Sequence, residues 1–344
     1  MSNSGNETTT TTATRAPARS GSGLVNIAAN YGLAIIFVLV LIVFGFLRPD
    51  TYLSQSNVGN LLTSQAVTAL LALAVMMPLT TGRFDLSVGY HVGLAQVLVT
   101  GLQVNAHLSW PLAAAIVLLL SIAVGLLNGF LVTRMKIDSF IATMGVGSLL
   151  YGISNWYTDG MQIPGLDLPD SYVGLAGSIG PVPIPALVVL AAGVILWTLL
   201  ERIPAGRGLY FIGSNSRAAE LSGVNVDRSV AATFVVAGAL CGIAGVLLGA
   251  ILRSGTPSVG PEYLLPAFAA ALLGATSIRP GRVNVGGTLL AILILAFAFS
   301  GVQQLGAAFY VEYLFNGAIL IIAVALSVYA AARRRRAAAA RPKN

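Results

Sequence analysis

The residues of this chain that could bind a polar ligand interrupt long apolar segments. Residues 80–90 read TTGRFDLSVGY and place the carboxylate of Asp85 two residues before the hydroxyl of Ser87. A carboxylate and a hydroxyl at this spacing can hydrogen-bond a polyhydroxylated ligand. Asp85 could equally pair with Arg83 or cap the N-terminus of the helix that follows. The sequence leaves these roles open.

A second polar, glycine-rich stretch occurs in the other half of the chain. Residues 274–288 read GATSIRPGRVNVGGT, and Gly281-Arg282-Val283-Asn284 aligns with Gly82-Arg83-Phe84-Asp85. Each stretch follows one apolar segment and opens another. The alignment favours either an internal duplication or two independent turns in which glycine serves only the turn geometry.

The remaining reactive residue types form no recognisable catalytic or metal-binding pattern. Cys241 is the single cysteine and lies in an apolar run, so neither a disulfide nor a cysteine-based metal site is expected. His91 and His107 stand far from any acid or cysteine at ligand spacing. The sequence contains no Gly-x-x-x-x-Gly-Lys-Ser/Thr loop and no nucleophile–base pair. We therefore expect neither an enzyme nor a metal protein.

Composition indicates that lipid is the solvent for most of the chain. Of its 344 residues, 56% are hydrophobic and 9% are charged, whereas soluble domains carry about 25% charged residues. The net charge of +7 comes from bases in loops and tails, as the positive-inside bias produces, so nucleic acid is not expected as a partner. The predicted fold class is an all-α, polytopic membrane protein.

Ten segments are candidates for membrane-spanning helices, each of which needs about 20 mainly apolar residues. With the N-terminus inside, all of the 19 lysines and arginines except Arg48 and Arg253 fall on the inner side. Both termini are therefore predicted to be cytoplasmic. The predicted spans are 31–47, 57–80, 87–104, 111–133, 139–158, 183–200, 229–251, 264–278, 285–304 and 314–332.

The spans divide the chain into three predicted parts. Residues 1–23 are expected to be a disordered cytoplasmic tail, 24–332 the transmembrane domain and 333–344 a basic cytoplasmic tail that can contact lipid headgroups. A duplicated unit of five spans would be inverted in the membrane, and transporters often carry binding or gating elements at glycine-broken segments. Four glycines are expected to permit close helix packing: Gly82, Gly89, Gly286 and Gly287.

The main polar interruption, residues 201–229, lies between the sixth and seventh predicted spans. Within it, Ser214 or Asn215 can cap a helix, residues 218–221 favour helix, and Gly223 suits a left-handed stop. A helix of about two turns is unstable alone in water, so it must pack on the chain or on a partner. On the residues alone, this segment is either a connector at the membrane interface or a docking element.

Four blocks of sequence resemble the permeases of sugar-importing ABC transporters of the ribose/xylose/galactose type. They cover roughly residues 35–330, nearly the whole chain except the tails. Arg83 and the pair Arg279-Pro280 depart from the small residues usual at their positions. The blocks are GRFDLSVG (82–89), FIATMGVGSLLYGISNWYTDGMQI (140–163), GRGLYFIGSNSRAAELSGVNV (206–226) and LLGATSIRPGRVNVGGTLLAILIL, which is followed by GAILIIAVAL (317–326).

The resemblance implies an importer in the bacterial inner membrane with several partners. These are a second permease copy or a sister permease, an external sugar-binding protein, and an ATPase with two nucleotide-binding modules. ATP and Mg²⁺ would bind to the ATPase, and no cofactor would bind to this chain. The loop 201–229 would be the coupling element that docks on the ATPase. Its expected coupling residues are Asn215, Arg217, Ala218, Ala219, Glu220 and Gly223.

For the path of a monosaccharide or related polyol, the favoured residues are Asp85, Ser87 and Asn284, with Phe140 and Thr143 as secondary candidates. The outer loop 159–182 would either dock the binding protein or form a rigid cap. The rival interpretations are an ion-coupled secondary transporter, a scaffold or channel subunit, and an ABC permease for nucleosides or branched-chain amino acids. A secondary transporter would need ionisable residues in mid-span, whereas almost every charge here falls at a span end.

Overall fold

The computed structural model describes residues 23–308, 310–319, 321, 322 and 325, with side chains from residue 31 onward. The predicted N-terminal tail up to residue 22 and the predicted basic tail 333–344 lie outside the described residues. The tenth predicted span, 314–332, is described only in part.

The described chain is mainly helical, and a helix lies over each of the first nine predicted spans. Residues 310–319 are also helical, at the start of the tenth. The long helices are α1 (Gly23–Leu47), α2 (Gln55–Thr80), α3 (Val88–Val104), α4 (Trp110–Thr133), α5 (Ser139–Thr158), α7 (Ile184–Glu201), α10 (Val226–Leu252) and α12 (Val285–Gln304). Shorter ones are α6 (Asp170–Val173), α8 (Pro204–Ser214), α9 (Ser216–Leu221) and α11 (Leu264–Gly274).

Five of the described helices are long and apolar enough to cross a membrane: α2, α4, α7, α10 and α12. The segments Tyr31–Leu47 and Val88–Val104 are apolar but shorter. Helix α11 has 11 residues, which rise only about 16 Å against a hydrocarbon core of about 30 Å. The count of ten spans, the inverted repeat and the cytoplasmic termini therefore remain predictions.

Polar caps explain where several of these helices begin. The Asn57 N–H donates to Ser54 Oγ at 3.2 Å at the start of α2. The Phe140 N–H donates to Asp138 Oδ1 at 3.0 Å before α5, and the Arg228 N–H donates to Asn225 Oδ1 at 3.0 Å before α10. Each cap satisfies a backbone donor that has no partner within its helix.

Helices α2 and α10 form the centre of the bundle. Residues 66–78 of α2 are buried without interruption, and α10 packs along α2, α3 and α4. Glycines allow α4 and α10 to approach closely, because a Cβ on Gly125 would lie 2.9 Å from Val235 Cα. Small residues at such crossings are typical of helix packing in lipid.

The peripheral helices expose large apolar side chains. Leu119 of α4, Ile141 of α5 and Ile195 of α7 are each about two-thirds exposed. Lipid rather than water can cover these side chains without cost, so the arrangement fits a membrane-embedded bundle.

The predicted outer loop is folded rather than extended. Strand β1 (Ile163–Pro164) pairs antiparallel with β4 (Ser254–Gly255), and β2 (Ser178–Ile179) pairs antiparallel with β3 (Val182–Pro183). Tyr172 is fully buried and donates its hydroxyl to Val246 O at 2.9 Å. The loop therefore attaches firmly to the end of α10.

Candidate substrate path and coupling surface

The first polar turn, residues 81–87 between α2 and α3, is called turn A. Asp85 is buried there and accepts hydrogen bonds from the Ser87 N–H at 3.0 Å and the Ser87 hydroxyl at 2.6 Å. No ion pair joins Asp85 to Arg83 in the described part of the chain. Both hydrogen bonds lie within turn A, just before α3, whose N-cap residue Ser87 makes no side-chain cap bond.

Side chains from α4 and α5 hold turn A in place. The Leu86 N–H donates to Thr143 Oγ1 at 2.9 Å, and the Phe84 N–H donates to Ser139 Oγ at 3.2 Å. On the α4 side, Asn128 Nδ2 donates to Ser87 Oγ at 2.9 Å. Side chains of two helices thus hold seven residues of irregular backbone, and they satisfy donors that lipid could not.

The structure brings together only some of the predicted path residues. Asp85, Ser87 and Thr143 belong to the cluster around turn A, whereas the Phe140 side chain is 48% exposed. Asn128 joins the cluster and was missed by the sequence analysis, although it is the one amide side chain in the apolar segment of α4. Its Oδ1 atom is buried and has no hydrogen-bond partner among the described residues.

The second polar turn, residues 275–284 between α11 and α12, is called turn B. Asn284 organises it from within: its Nδ2 donates to Gly274 O at 3.2 Å and Ser277 O at 3.1 Å. Its Oδ1 accepts from the Gly287 N–H at 2.8 Å and so caps α12. Within the described chain, the Asn284 side chain forms hydrogen bonds only to residues in the range 274–287. It therefore shares no hydrogen bond with the turn A cluster.

The four glycines expected at helix contacts have different roles. A Cβ on Gly89 would lie 3.1 Å from Gly260 O, and one on Gly287 would lie 2.9 Å from Asn284 Oδ1, so both positions are crowded. Gly82 instead has a φ of +73°, and an added Cβ would meet only the Gly213 carbonyl at 3.9 Å, so the turn needs glycine there for its backbone conformation. Gly286 is exposed, and only the tip of Ile278 lies near it.

The polar loop contains two helices, α8 and α9, where the sequence predicted one. Asn215, rather than Ser214, caps α9 by accepting from the Ala218 N–H at 3.0 Å. Gly223 ends the segment with a φ of +84°, and its N–H donates to Glu220 O at 3.0 Å. An exposed ion pair of 3.0 Å joins Arg217 to Glu220.

Ala219 corrects the expected position of the coupling surface. It is fully buried and packs in a cluster with Val132, Ile212 and Phe234 of the chain itself. Its side chain therefore packs against the rest of the chain and is not on the exposed face of α9. The exposed large apolar side chains of this loop are those of Ile203, at 45%, Phe211, at 40%, and Leu221, at 77%.

Helix α8 contacts both polar turns. At its C-terminal end, Gly213 lies against Thr80 and Thr81 so closely that no side chain would fit. One turn earlier along α8, the Arg282 guanidinium of turn B lies 3.7 Å from the centroid of the Tyr210 ring. Burial raises the pKa of the Tyr210 hydroxyl, so the ring is neutral and this contact is a cation–π interaction.

Glu201, at the C-terminal end of α7, also binds turn B. Its carboxylate forms an ion pair with Arg279 and lies 3.7 Å from the Arg282 guanidinium. The Glu201 side chain is only 12% exposed, whereas the arginines are about half exposed. The two basic residues of turn B are therefore held by the end of α7, and Arg282 also by α8.

Comparison with known proteins identifies the family of this chain. A family model described as "Branched-chain amino acid transport system / permease component" matches residues 57–324. The ribose import permease of Bacillus subtilis is 36% identical over 85% of this chain and 90% of its own length. The D-allose transport system permease of Escherichia coli is 29% identical over 86% and 91%, respectively.

A third relative is the galactose/methyl galactoside import permease of Haemophilus influenzae, which is 30% identical over 85% of this chain and 93% of the relative. No solved structure matches. Together with the apolar helices, these matches make the chain a multi-pass membrane protein and a transport component rather than an enzyme. The chain belongs to the branched-chain amino acid transport system / permease component family, and within it to the sugar ABC permeases.

Proposed function

We propose that this chain is the membrane permease subunit of an ATP-driven importer in the bacterial inner membrane. Its cargo is a monosaccharide or related polyol delivered by an external binding protein. The relatives support the substrate class, because their names specify ribose, D-allose and galactose or methyl galactoside. The family description itself names branched-chain amino acids, so these remain the alternative cargo.

The working assembly contains the permease, the external binding protein and the ATPase. Two permease copies, or this chain and a sister, form the path between the binding protein and an ATPase with two nucleotide-binding modules. ATP and Mg²⁺ bind to the ATPase, and this chain binds no cofactor. The permease domain comprises residues 24–332. A cytoplasmic tail precedes it and a second cytoplasmic tail follows it.

The observation that carries this proposal is the contact of α8 with both polar turns. Gly213 lies against the end of α2 beside turn A, and Tyr210 lies against Arg282 of turn B. A partner that moves α8 and α9 as a unit would therefore act on both turns at once. Such a contiguous contact is the physical requirement for coupling between two sites.

The docking surface is the face of the loop that the chain leaves uncovered. It combines the exposed Arg217–Glu220 pair with the apolar side chains of Phe211 and Leu221. An apolar centre with a charged rim is typical of protein interfaces. Asn215 and Gly223 shape α9, Ala218 is partly exposed, and Ala219 attaches the helix to the permease.

Turn A is the proposed inner part of the substrate path. Buried groups that can bond a hydroxyl meet there, and Asn128 Oδ1 lacks a partner within the described chain. A buried amide oxygen without a partner is costly, and a substrate hydroxyl could supply the missing donor. Asn284 is proposed to shape turn B and not to contact the cargo.

Co-purification with the ABC ATPase encoded with this chain tests the proposal. Leu221→Glu should abolish the complex, because it places a charge in the apolar centre of the docking surface. Leu166→Glu is the matched control, since Leu166 is 89% exposed in the loop at the opposite end of the bundle. The native chain and the control should retain the ATPase.

Two outcomes would contradict the proposal. If no ATPase binds the native chain, the importer assignment fails, and uptake driven by an ion gradient becomes the rival to measure. If both variants retain the ATPase and transport normally, coupling does not occur through α9.

A further inference from the structure

A cavity of about 540 Å³ lies among α2, α11, α12 and the helical residues 310–319. It is at the end of the bundle opposite the coupling loop. Gln65 lines it, whereas Thr80 at the other end of α2 contacts α8, and the two residues are separated by about 22 Å of helix. Neither polar turn contributes to its lining.

The lining combines carboxylates, amides and aromatic hydroxyls. Phe299 and Phe315 add apolar ring surface beside them. Carboxylates and amide oxygens accept hydrogen bonds, amide nitrogens and phenols donate them, and rings can cover the C–H face of a sugar. The polar members include Gln65, Glu262, Tyr263, Glu312, Tyr313 and Asn316.

Neither carboxylate is neutralised by the chain. No ion pair to Glu262 or Glu312 occurs among the described residues, although Glu312 is only partly exposed. A carboxylate that is partly buried at a membrane protein's end is expensive without a partner or a function. A ligand that donates several hydrogen bonds would supply that partner.

The cavity suits a neutral polyol better than a metal ion. Within the described chain, no group of three or more His, Cys, Asp and Glu residues could hold a metal ion. The volume is also far larger than one ion needs and falls in the range of small-molecule sites, about 300–1,000 Å³. Amide donors beside carboxylate acceptors match hydroxyl groups, which are both donors and acceptors.

We propose that this cavity is a second sugar site on the import path, which holds the monosaccharide before it reaches the polar turns. This inference rests on the proposed function. Glu262 and Glu312 accept hydrogen bonds from sugar hydroxyls, while Gln65 and Asn316 provide both donors and acceptors. The monosaccharide would then occupy the cavity first and turn A afterwards.

The first test is protection of an introduced cysteine. Gln65→Cys in a Cys241→Ala background places a single thiol in the cavity wall of the full transporter. The probe is whichever of D-ribose, D-allose and D-galactose the unmodified transporter takes up, at millimolar concentration. We expect that sugar to slow maleimide labelling at position 65 at least threefold. Leu62→Cys, one turn away and outside the cavity lining, should be labelled at the same rate with and without sugar.

The second test separates binding from coupling. Glu312→Gln and Glu262→Gln should each raise the KM for uptake about tenfold, while ATP hydrolysis stimulated by the binding protein remains normal. Asp167→Asn, an exposed carboxylate in the loop at the same end, should change neither quantity.

Failure of this inference can be distinguished from failure of the proposed function. Normal sugar uptake without protection at position 65, or with an unchanged KM in both glutamate variants, would overturn the cavity as a sugar site and leave the importer assignment intact. Protection by sodium ions but not by sugar would identify a cation site and would also overturn it. If the transporter takes up none of the sugars, both proposals fall together.

Discussion

Turn A and turn B align in sequence but are held by different interactions. Both contain a glycine with positive φ, Gly82 at +73° and Gly281 at +90°, and both lie beside α8. Turn A is bound by buried side chains of α4 and α5, including Thr143 and Asn128. Turn B is organised by its own Asn284, and charged contacts join it to Glu201 and Tyr210.

This difference indicates how the two turns would respond to movement of the coupling loop. Turn A is bound to α4 and α5 as well as to α8, so movement of α8 would have to carry those helices with it. Turn B is joined to Tyr210 of α8 and to Glu201 at the end of α7, so it would follow α8 more directly. Arg282 lies against the Tyr210 ring of α8 and beside Glu201, whereas its equivalent Arg83 forms no ion pair among the described residues. The aligned asparagine and aspartate also differ: the Asn284 side chain bonds across turn B and caps α12, whereas the Asp85 carboxylate accepts hydrogen bonds from Ser87 within turn A.

The largest effect is expected from separating α8 from turn A. Gly213→Leu introduces a side chain where Thr80 leaves no space, and such overpacking costs about 1–3 kcal/mol. We expect sugar uptake to fall to background while the permease still inserts. Uptake and membrane abundance are measured together in whole cells.

Gly208 supplies the matched control for that change. It lies on the same helix, and an added Cβ would have nothing within 4 Å. Gly208→Leu should therefore transport almost normally. Equal activity of the two leucine variants would show that close contact between α8 and turn A is not needed.

A smaller effect is expected from weakening the attachment of turn B. Glu201→Gln keeps the size of the side chain but removes the charge that faces Arg279 and Arg282. We expect sugar uptake to fall roughly tenfold while ATP hydrolysis continues. A fall of this size corresponds to a coupling free energy in the range usual between two sites. Uptake and hydrolysis are measured in the same proteoliposomes.

The control for Glu201 is another carboxylate on the same side of the bundle. Asp227 pairs with Lys136 at 2.8 Å, away from both turns. Asp227→Asn should leave the ratio of sugar moved to ATP hydrolysed unchanged. A ratio that falls equally in both variants would assign the effect to general loss of charge.

A substitution in α5 can weaken the attachment of turn A without changing the contact between turn A and α8. Thr143→Val removes the acceptor of the Leu86 N–H and leaves that partly buried donor without a partner, at a cost of up to about 1–3 kcal/mol. The midpoint of thermal unfolding in detergent should fall. Thr133→Val is the control, because the Thr133 hydroxyl bonds only to the carbonyl of Gly129 in its own helix. A midpoint that falls no further in Thr143→Val than in the control would contradict the anchoring of turn A.

The smallest effect is expected on the exposed docking surface. Both members of the Arg217–Glu220 pair are more than half exposed, and such pairs contribute about 0–1 kcal/mol. Arg217→Ala should leave the unfolding midpoint unchanged and weaken binding of the ATPase only modestly at low salt. A large fall in the midpoint would mean that the pair stabilises the fold and is not part of an interface.

The helices could largely be predicted from the sequence because apolar segments and polar caps are local signals. Asn215 and Gly223 also act as their residue types predict. The position of Ala219 could not be predicted, since a small residue on a short helix gives no indication of which surface it contacts. Helix α8 was missed because Gly206, Gly208 and Gly213 lower its helix propensity. Tertiary contacts reverse that tendency, as Gly206 packs against the backbone of Leu199 and Leu200.

The central claim is that α8 and turn B move together, and a bridging experiment tests it most directly. Tyr210→Cys and Arg282→Cys together remove the cation–π contact, so uptake should fall. A short bifunctional thiol reagent that joins the two cysteines should restore uptake, because it replaces the lost contact with a covalent one. Full activity without the bridge, or inactivity that persists after bridging, would contradict the claim.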